Sequence, residues 1–148
     1  MSAAVQIEGN RVRITRVFDA PRAVVFQFWS QAEKLQQWTG CKEATHCEVE
    51  MDFRVGGLFR QKMQIEGAGE FTITGTYDEI VEPELIAYHA DLAGAITHVR
   101  VEFIEQGERT TVILTQAGLP DEMICKIVSQ GTVESFAKLD QRLLAQPV

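Results

Sequence analysis

A chain of 148 residues with 45% hydrophobic and 24% charged residues has the size and balance of one globular domain that can bury a core without disulfides or a structural metal. Its formal net charge of −7, with no cluster of lysine and arginine, repels phosphate backbones and argues against nucleic acid as a partner. The opening MSAAVQIEGN lacks a basic and a long apolar stretch, no window approaches the roughly 18 apolar residues of a membrane span, and Cys41, Cys47 and Cys125 show no C-x-x-C spacing; the expectation is a cytoplasmic protein with reduced thiols, no disulfide framework and no membrane association.

Arg11 to Phe18 alternates at Val12, Ile14 and Phe18, the pattern of a strand with one buried face. Asp19 offers a side-chain oxygen to cap the next helix, and Pro21 stands in its first turn, where a missing N–H costs nothing. Val24, Val25, Phe28 and Trp29 follow at helical spacing, and Leu35 with Trp38 repeats the pattern after a break at Ser30 and Gln31. From there the period becomes two. Thr45 to Phe53 sets Cys47, Val49, Met51 and Phe53 against His46, Glu48, Glu50 and Asp52, and the Gly56-Gly57 turn ends it. Leu58 to Glu66 puts Phe59, Gln61, Met63 and Ile65 on its dry face, with Gln61 the polar exception. Phe71 to Ile80 alternates Phe71, Ile73, Gly75 and Tyr77, and Gly75 reads as a bulge or bend. Leu85 to Ala90, Ile96 to Ile104 and Arg109 to Gln116 complete a run of short strands with hairpin-length connectors, which predicts an antiparallel meander.

Leu119-Pro120-Asp121 then starts the longest helical pattern. Ile124, Ile127, Val128, Gly131, Ser135, Phe136, Leu139 and Leu143 recur at three- and four-residue steps, so this helix is expected to lie on the sheet. Gly131 and Ser135 form a small-residue notch in that stripe. A void there would admit an apolar ligand, lined by Trp29, Trp38, Phe59, Gln61, Met63, Phe71, Tyr77, Val101, Phe103, Ile127, Gly131 and Phe136.

Three segments carry a resemblance to a known family. They are Arg16-Val17-Phe18-Asp19-Ala20-Pro21-Arg22 with Val25-Phe26 and Trp29, then Glu33-Lys34-Leu35 with Trp38, then the D-x-R-x-G-G turn Asp52-Phe53-Arg54-Val55-Gly56-Gly57. Together with Gly75-Thr76-Tyr77, Ile80, Pro83 and the closing Leu139 to Leu144, the chain resembles the SRPBCC superfamily of the birch-pollen allergen and START lipid-transfer domains. Within it, the chain is similar to the bacterial branch named after the activator of heat-shock protein 90 ATPase, C-terminal domain. The resemblance implies one domain over residues 1–148 with an α+β helix-grip fold. In that fold a curved antiparallel sheet of six to seven strands wraps a long C-terminal helix, and two short helices stand between strands 1 and 2. It implies non-catalytic binding of a small hydrophobic molecule in an internal cavity. Its alternatives are a chaperone-linked interaction module and a cyclase- or hydrolase-type enzyme using the same cavity.

The residues themselves bear on these alternatives. Asp52, Arg54, Gly56 and Gly57 read as a structural turn, its carboxylate receiving backbone amides and its arginine pairing across the strand end. Cys41, His46 and Cys47, with Glu48 and Glu50, invite a metal, but alternation sends His46 and Cys47 to opposite faces, so no metal is expected. No Ser/His/Asp spacing, nucleophile elbow or phosphate-cradling loop is present. The thin catalytic candidates are His89, Tyr77 and Gln61, and no cofactor is implied. A homodimer through an exposed edge of the meander is the expected form of self-association.

Overall fold

The computed structural model describes residues 3–39, 44–67, 69–92 and 94–144. Among them, β1 (Ala4–Glu8) and β2 (Arg11–Phe18) lead into α1 (Arg22–Ser30) and α2 (Ala32–Leu35). Then follow β3 (Ala44–Met51), β4 (Leu58–Ile65), β5 (Gly69–Val81), β6 (Leu85–Leu92), β7 (Ala95–Gln106), β8 (Arg109–Ala117) and α3 (Glu122–Leu144). All strands belong to one antiparallel sheet of order β1-β2-β8-β7-β6-β5-β4-β3. The architecture is α+β with an open sheet and a long closing helix, and the count is eight strands rather than six to seven. The additional strand is β1. It is a five-residue edge strand with Val5 exposed and Ile7 only half-buried, so its alternation leaves little signal.

The connection between β2 and β3 explains why the helices sit where they do. These strands lie far apart in the sheet, and the meander from β3 runs back until β8 pairs with β2. The chain therefore crosses the sheet through α1 and α2, with α1 against β7 and β8 and α2 beside β3. Pro21 is the N-cap of α1, and its carbonyl accepts from the Val24 and Val25 amides at 3.0 Å. Asp19 stands two residues too early to cap; its carboxylate lies 3.6 Å from Arg109 Nε on the surface instead. Gln31, in extended backbone at φ −117°, ends α1 where the break was expected.

Asp121 caps α3, accepting from the Ile124 amide at 2.8 Å. The buried stripe of α3 is Cys125, Ser129, Ser135, Phe136, Leu139 and Leu143. In its first half burial centres on Cys125 and Ser129, Ile124 and Val128 pack against the core in part, and Ile127 stands 59% exposed. The cause is close docking: the Leu119 amide donates to Asn10 O at 3.1 Å and Cys125 Sγ lies 3.8 Å from Gly9 O. Small side chains at 125 and 129 permit that approach. Farther along, Arg16, only 8% exposed, reaches Asp140 of α3 at 3.3 Å.

Two glycine positions leave no room for a side chain. The irregularity of β5 lies at Asp78, between Tyr77 and Glu79, and not at Gly75. Gly75 holds regular register with Phe59 and Ala90, and a Cβ there would overlap the Phe59 ring and come within 2.6 Å of the His89 carbonyl oxygen. Its role is clearance. Gly57 likewise has no room for a Cβ beside the Asp52 carbonyl, and the turn clips onto β5 through Gly56 N–Tyr77 O at 2.8 Å and Tyr77 N–Gly57 O at 3.0 Å. Within it, Arg54 Nε donates to Asp52 Oδ2 at 2.6 Å. The arginine therefore pairs inside the turn rather than across the strand end, and the carboxylate serves the guanidinium.

Candidate ligand-binding site

The inner face of the sheet, the one the helices cover, changes character from one edge to the other. On β2, β8 and β7 it is sealed: Val12, Ile14, Phe18, Val112 and Val101 are fully buried. Aromatic side chains from α1, α3 and the turn after α2 complete the seal. Trp29 and Trp38 have ring centroids 4.5 Å apart, Trp29 lies 5.1 Å from Phe103 and 6.1 Å from Phe136, and Trp38 Nε1 donates to Phe28 O at 2.9 Å. Five of the residues expected to line a cavity, Trp29, Trp38, Val101, Phe103 and Phe136, are thus packed into this closed core.

On β4 to β6 the same face opens. Phe59, Met63, Tyr77, Ile86 and Ala90 are buried, but Gln61, Ile73 and Tyr88 are half-buried. Phe71, opposite Met63 in register and so on the same face, is 49% exposed. Phe71 and Ile127 are therefore not enclosed as expected. Phe71 sits at the start of β5, next to the turn from β4, and Ile127 is rotated away by the docking of Cys125. Gly131 is half-buried, and its carbonyl accepts from Ser135 Oγ at 2.9 Å.

The open half carries an aromatic group with polar ends. Phe59 packs at 5.2 Å from Tyr77 and 4.9 Å from Tyr88, and the two tyrosines, partners in register, lie 6.2 Å apart. Phe53 touches Tyr77 at 5.1 Å. Burial pushes the Tyr88 hydroxyl up to about 12, and burial followed by the neighbouring Tyr88 pushes Tyr77 higher still. Both stay protonated donors at neutral pH. Among the described residues, neither hydroxyl nor the Gln61 amide has a hydrogen-bond partner. Nearby on the same face, Gln116 Nε2 donates to Thr97 Oγ1 at 3.3 Å. Register places no lysine, arginine, aspartate or glutamate on the inner face of β4 to β6 among the described residues.

Tyr88 is the residue that sequence reasoning did not place. The bulge at Asp78 interrupts the alternation of β5, and only the pairing of Tyr77 with Tyr88 fixes the phase of β6. His89 consequently points the other way. On the outer face its Nδ1 lies 2.9 and 3.0 Å from the two Asp78 carboxylate oxygens, and its ring is 5.9 Å from that of His98. The catalytic candidates His89, Tyr77 and Gln61 are therefore split between opposite faces and do not form one site. Cys41 and the side chain of His46 lie outside the described residues. Cys47 Sγ is 3.0 Å from Thr39 Oγ1, and Glu50 pairs with Arg60 at 2.8 Å. Among the described residues no three histidine, cysteine, aspartate or glutamate side chains converge to hold a metal. Nor, among them, is any helix long and apolar enough to cross a membrane.

An open antiparallel sheet gripping a long last helix, with two short helices after the strand that starts the crossing, matches what comparison finds. The family model described as Activator of Hsp90 ATPase homolog 1-like protein matches residues 19–143. The chain belongs to this family. Its fold is the helix-grip fold of the SRPBCC superfamily. A solved protein of Chromobacterium violaceum superposes with a TM-score of 0.84 at 24% identity, over 93% of this chain and 99% of that one. One of Rhodobacter sphaeroides superposes at 0.85 with 16% identity, over 98% and 100%. DynU16, from the dynemicin biosynthetic locus, superposes at 0.75 with 14% identity, over 92% of this chain but 48% of its own. At these identities the likeness is one of fold. No curated protein sequence gives a significant match.

Proposed function

We propose that this protein binds a small apolar molecule on the inner face of its sheet, between β4 to β6 and α3, without covalent chemistry. The observation that carries this reading is the change along one face from a sealed aromatic core to a half-open apolar surface at Gln61, Ile73, Tyr88 and Phe71. An apolar surface that the fold itself does not close gains by being covered. Burying about 150 to 200 Å² of a small ring system at roughly 25 cal/mol per Å² gives several kcal/mol, enough for affinity on the order of micromolar after association costs. Native mass spectrometry of the protein as purified, followed by denaturing extraction, tests it. A reproducible excess mass that disappears in Gly131→Leu supports the reading. A clean apo mass, with no thermal shift against a library of apolar compounds, overturns it.

A second reading has its own observation. Met123 and Ile127 stand one turn apart on α3 at 70% and 59% exposure, an apolar pair suited to a protein surface, and the family name points to a chaperone ATPase. Replacing both by glutamate would abolish capture of an Hsp90-type chaperone on this reading and leave small-molecule binding intact.

A further inference from the structure

The open half of the inner face is unusual in its polar groups rather than in its apolar ones. Two donors, the Tyr77 and Tyr88 hydroxyls, belong to rings that pack on Phe59 from adjacent strands, and neither is satisfied by another described residue; Gln61 stands farther along, opposite Ile73. Tyr77 is only 4% exposed. Neither tyrosine hydroxyl is among the polar atoms sealed from water, so a ligand that supplies an acceptor oxygen can replace that water and add hydrogen bonds to its apolar contact. The charges of the molecule decide which acceptor. No cationic side chain lies on the inner face of β4 to β6 among the described residues. Arg16, the arginine on the inner face of β2, is buried and held by Asp140, and the chain carries a net charge of −7. A carboxylate brought into this apolar surface would lose its hydration without a counter-charge. A neutral carbonyl would lose little and accept up to two hydrogen bonds. Tyrosines held protonated by burial remain donors throughout the physiological range.

We infer that the ligand is a neutral molecule whose apolar body carries a carbonyl or equivalent acceptor oxygen, bound by Tyr77 and Tyr88, and that fatty acids and other carboxylates are rejected. The inference rests on the apolar-binding reading above and specifies its chemistry. The glycine at 75 belongs to the same device: it lets the buried Phe59 ring lie against the β5 backbone, where it packs on both tyrosines and fixes their rings.

Three probes that share one ring system separate the inference from the reading beneath it: naphthalene, 2-acetonaphthone and 2-naphthoate, titrated against the protein with amide chemical shifts as the readout. The expected result is that the ketone binds about tenfold tighter than the hydrocarbon and that the carboxylate binds no better than the hydrocarbon. Tyr77→Phe and Tyr88→Phe, which keep the rings, should each remove most of the ketone's advantage over naphthalene, both ligands being titrated on the same variant. If naphthalene binds but the carboxylate is the tightest, or the phenylalanine variants keep the ketone's advantage, the inference falls and the apolar-binding reading stands. If none of the three binds, both fall.

Discussion

Gly75 shows how one missing methyl group can organise a site. The Phe59 ring occupies the space a Cβ would need, and the His89 carbonyl closes the other side. Gly75→Ala should therefore destabilise by about 1 to 3 kcal/mol, read from urea unfolding, and shift the ring resonances of Phe59, Tyr77 and Tyr88; an unchanged midpoint would show that Phe59 swings aside freely. The two tyrosines give a second handle, because they are the only two in the chain. An unburied tyrosine ionises near 10.0, whereas Tyr88 does so at about 12 and Tyr77 above it. As pH rises past 10, the unfolded chain gives up protons that the folded chain keeps, so stability is untouched below that value and falls above it. Near-ultraviolet tyrosinate absorbance should thus stay flat to about pH 11 and then rise together with loss of native circular dichroism. Titration centred near pH 10 in the folded protein would contradict the burial of the hydroxyls. Cys125 differs from these donors: its thiol is pushed up by burial and by Asp121 and Glu122, which leaves it a packing residue.

At the scale of elements, α3 is held at two places. Its start is capped by Asp121, and Asp121→Ala should cost about 1 kcal/mol. Toward its end Arg16 meets Asp140, with Arg16 Nε lacking a further partner. Removing Asp140 strands a buried cation, so Asp140→Ala should destabilise by about 3 kcal/mol. Arg16→Met, which removes the charge and keeps the volume, should cost clearly less. Equal losses in thermal midpoint for the two variants would show that packing, not charge, is what the pair contributes. The period of α3 was legible in the sequence, since its half from Ser135 to Leu143 faces inward as the spacing indicates. The burial pattern of its first half was not. Ile127 is more apolar than Cys125 and Ser129, yet it is exposed while Ile124 and Val128 flank the buried pair, and only contact with the β1–β2 turn makes small size worth more than hydrophobicity there.

For the molecule as a whole, the sheet divides labour between its two halves: one is packed by aromatic rings into a core, the other is left half-open with unpaired donors. The tryptophans lie in the sealed half, buried 4.5 Å apart. Their emission should therefore change little when a ligand binds at β4 to β6, while amide shifts of those strands move. A large tryptophan response without shifts in β4 to β6 would place the ligand in the aromatic core instead. Alternation, turn glycines and helical spacing determined by themselves the class of fold, the antiparallel meander and the closing helix, because these depend on local backbone preference and on which residues avoid water. They also indicated Gln61 as the polar group on a dry face. Three things were decided only by tertiary structure: the packing of Trp29, Trp38, Phe103 and Phe136 into the closed core, the exposure of Phe71 and Ile127, and the facing of Tyr77 and Tyr88 with His89 turned outward. Each depends on register across strands, on a bulge that shifts the phase by one residue, or on how closely a helix approaches a turn, and none of these distances is written in the spacing of residues along the chain.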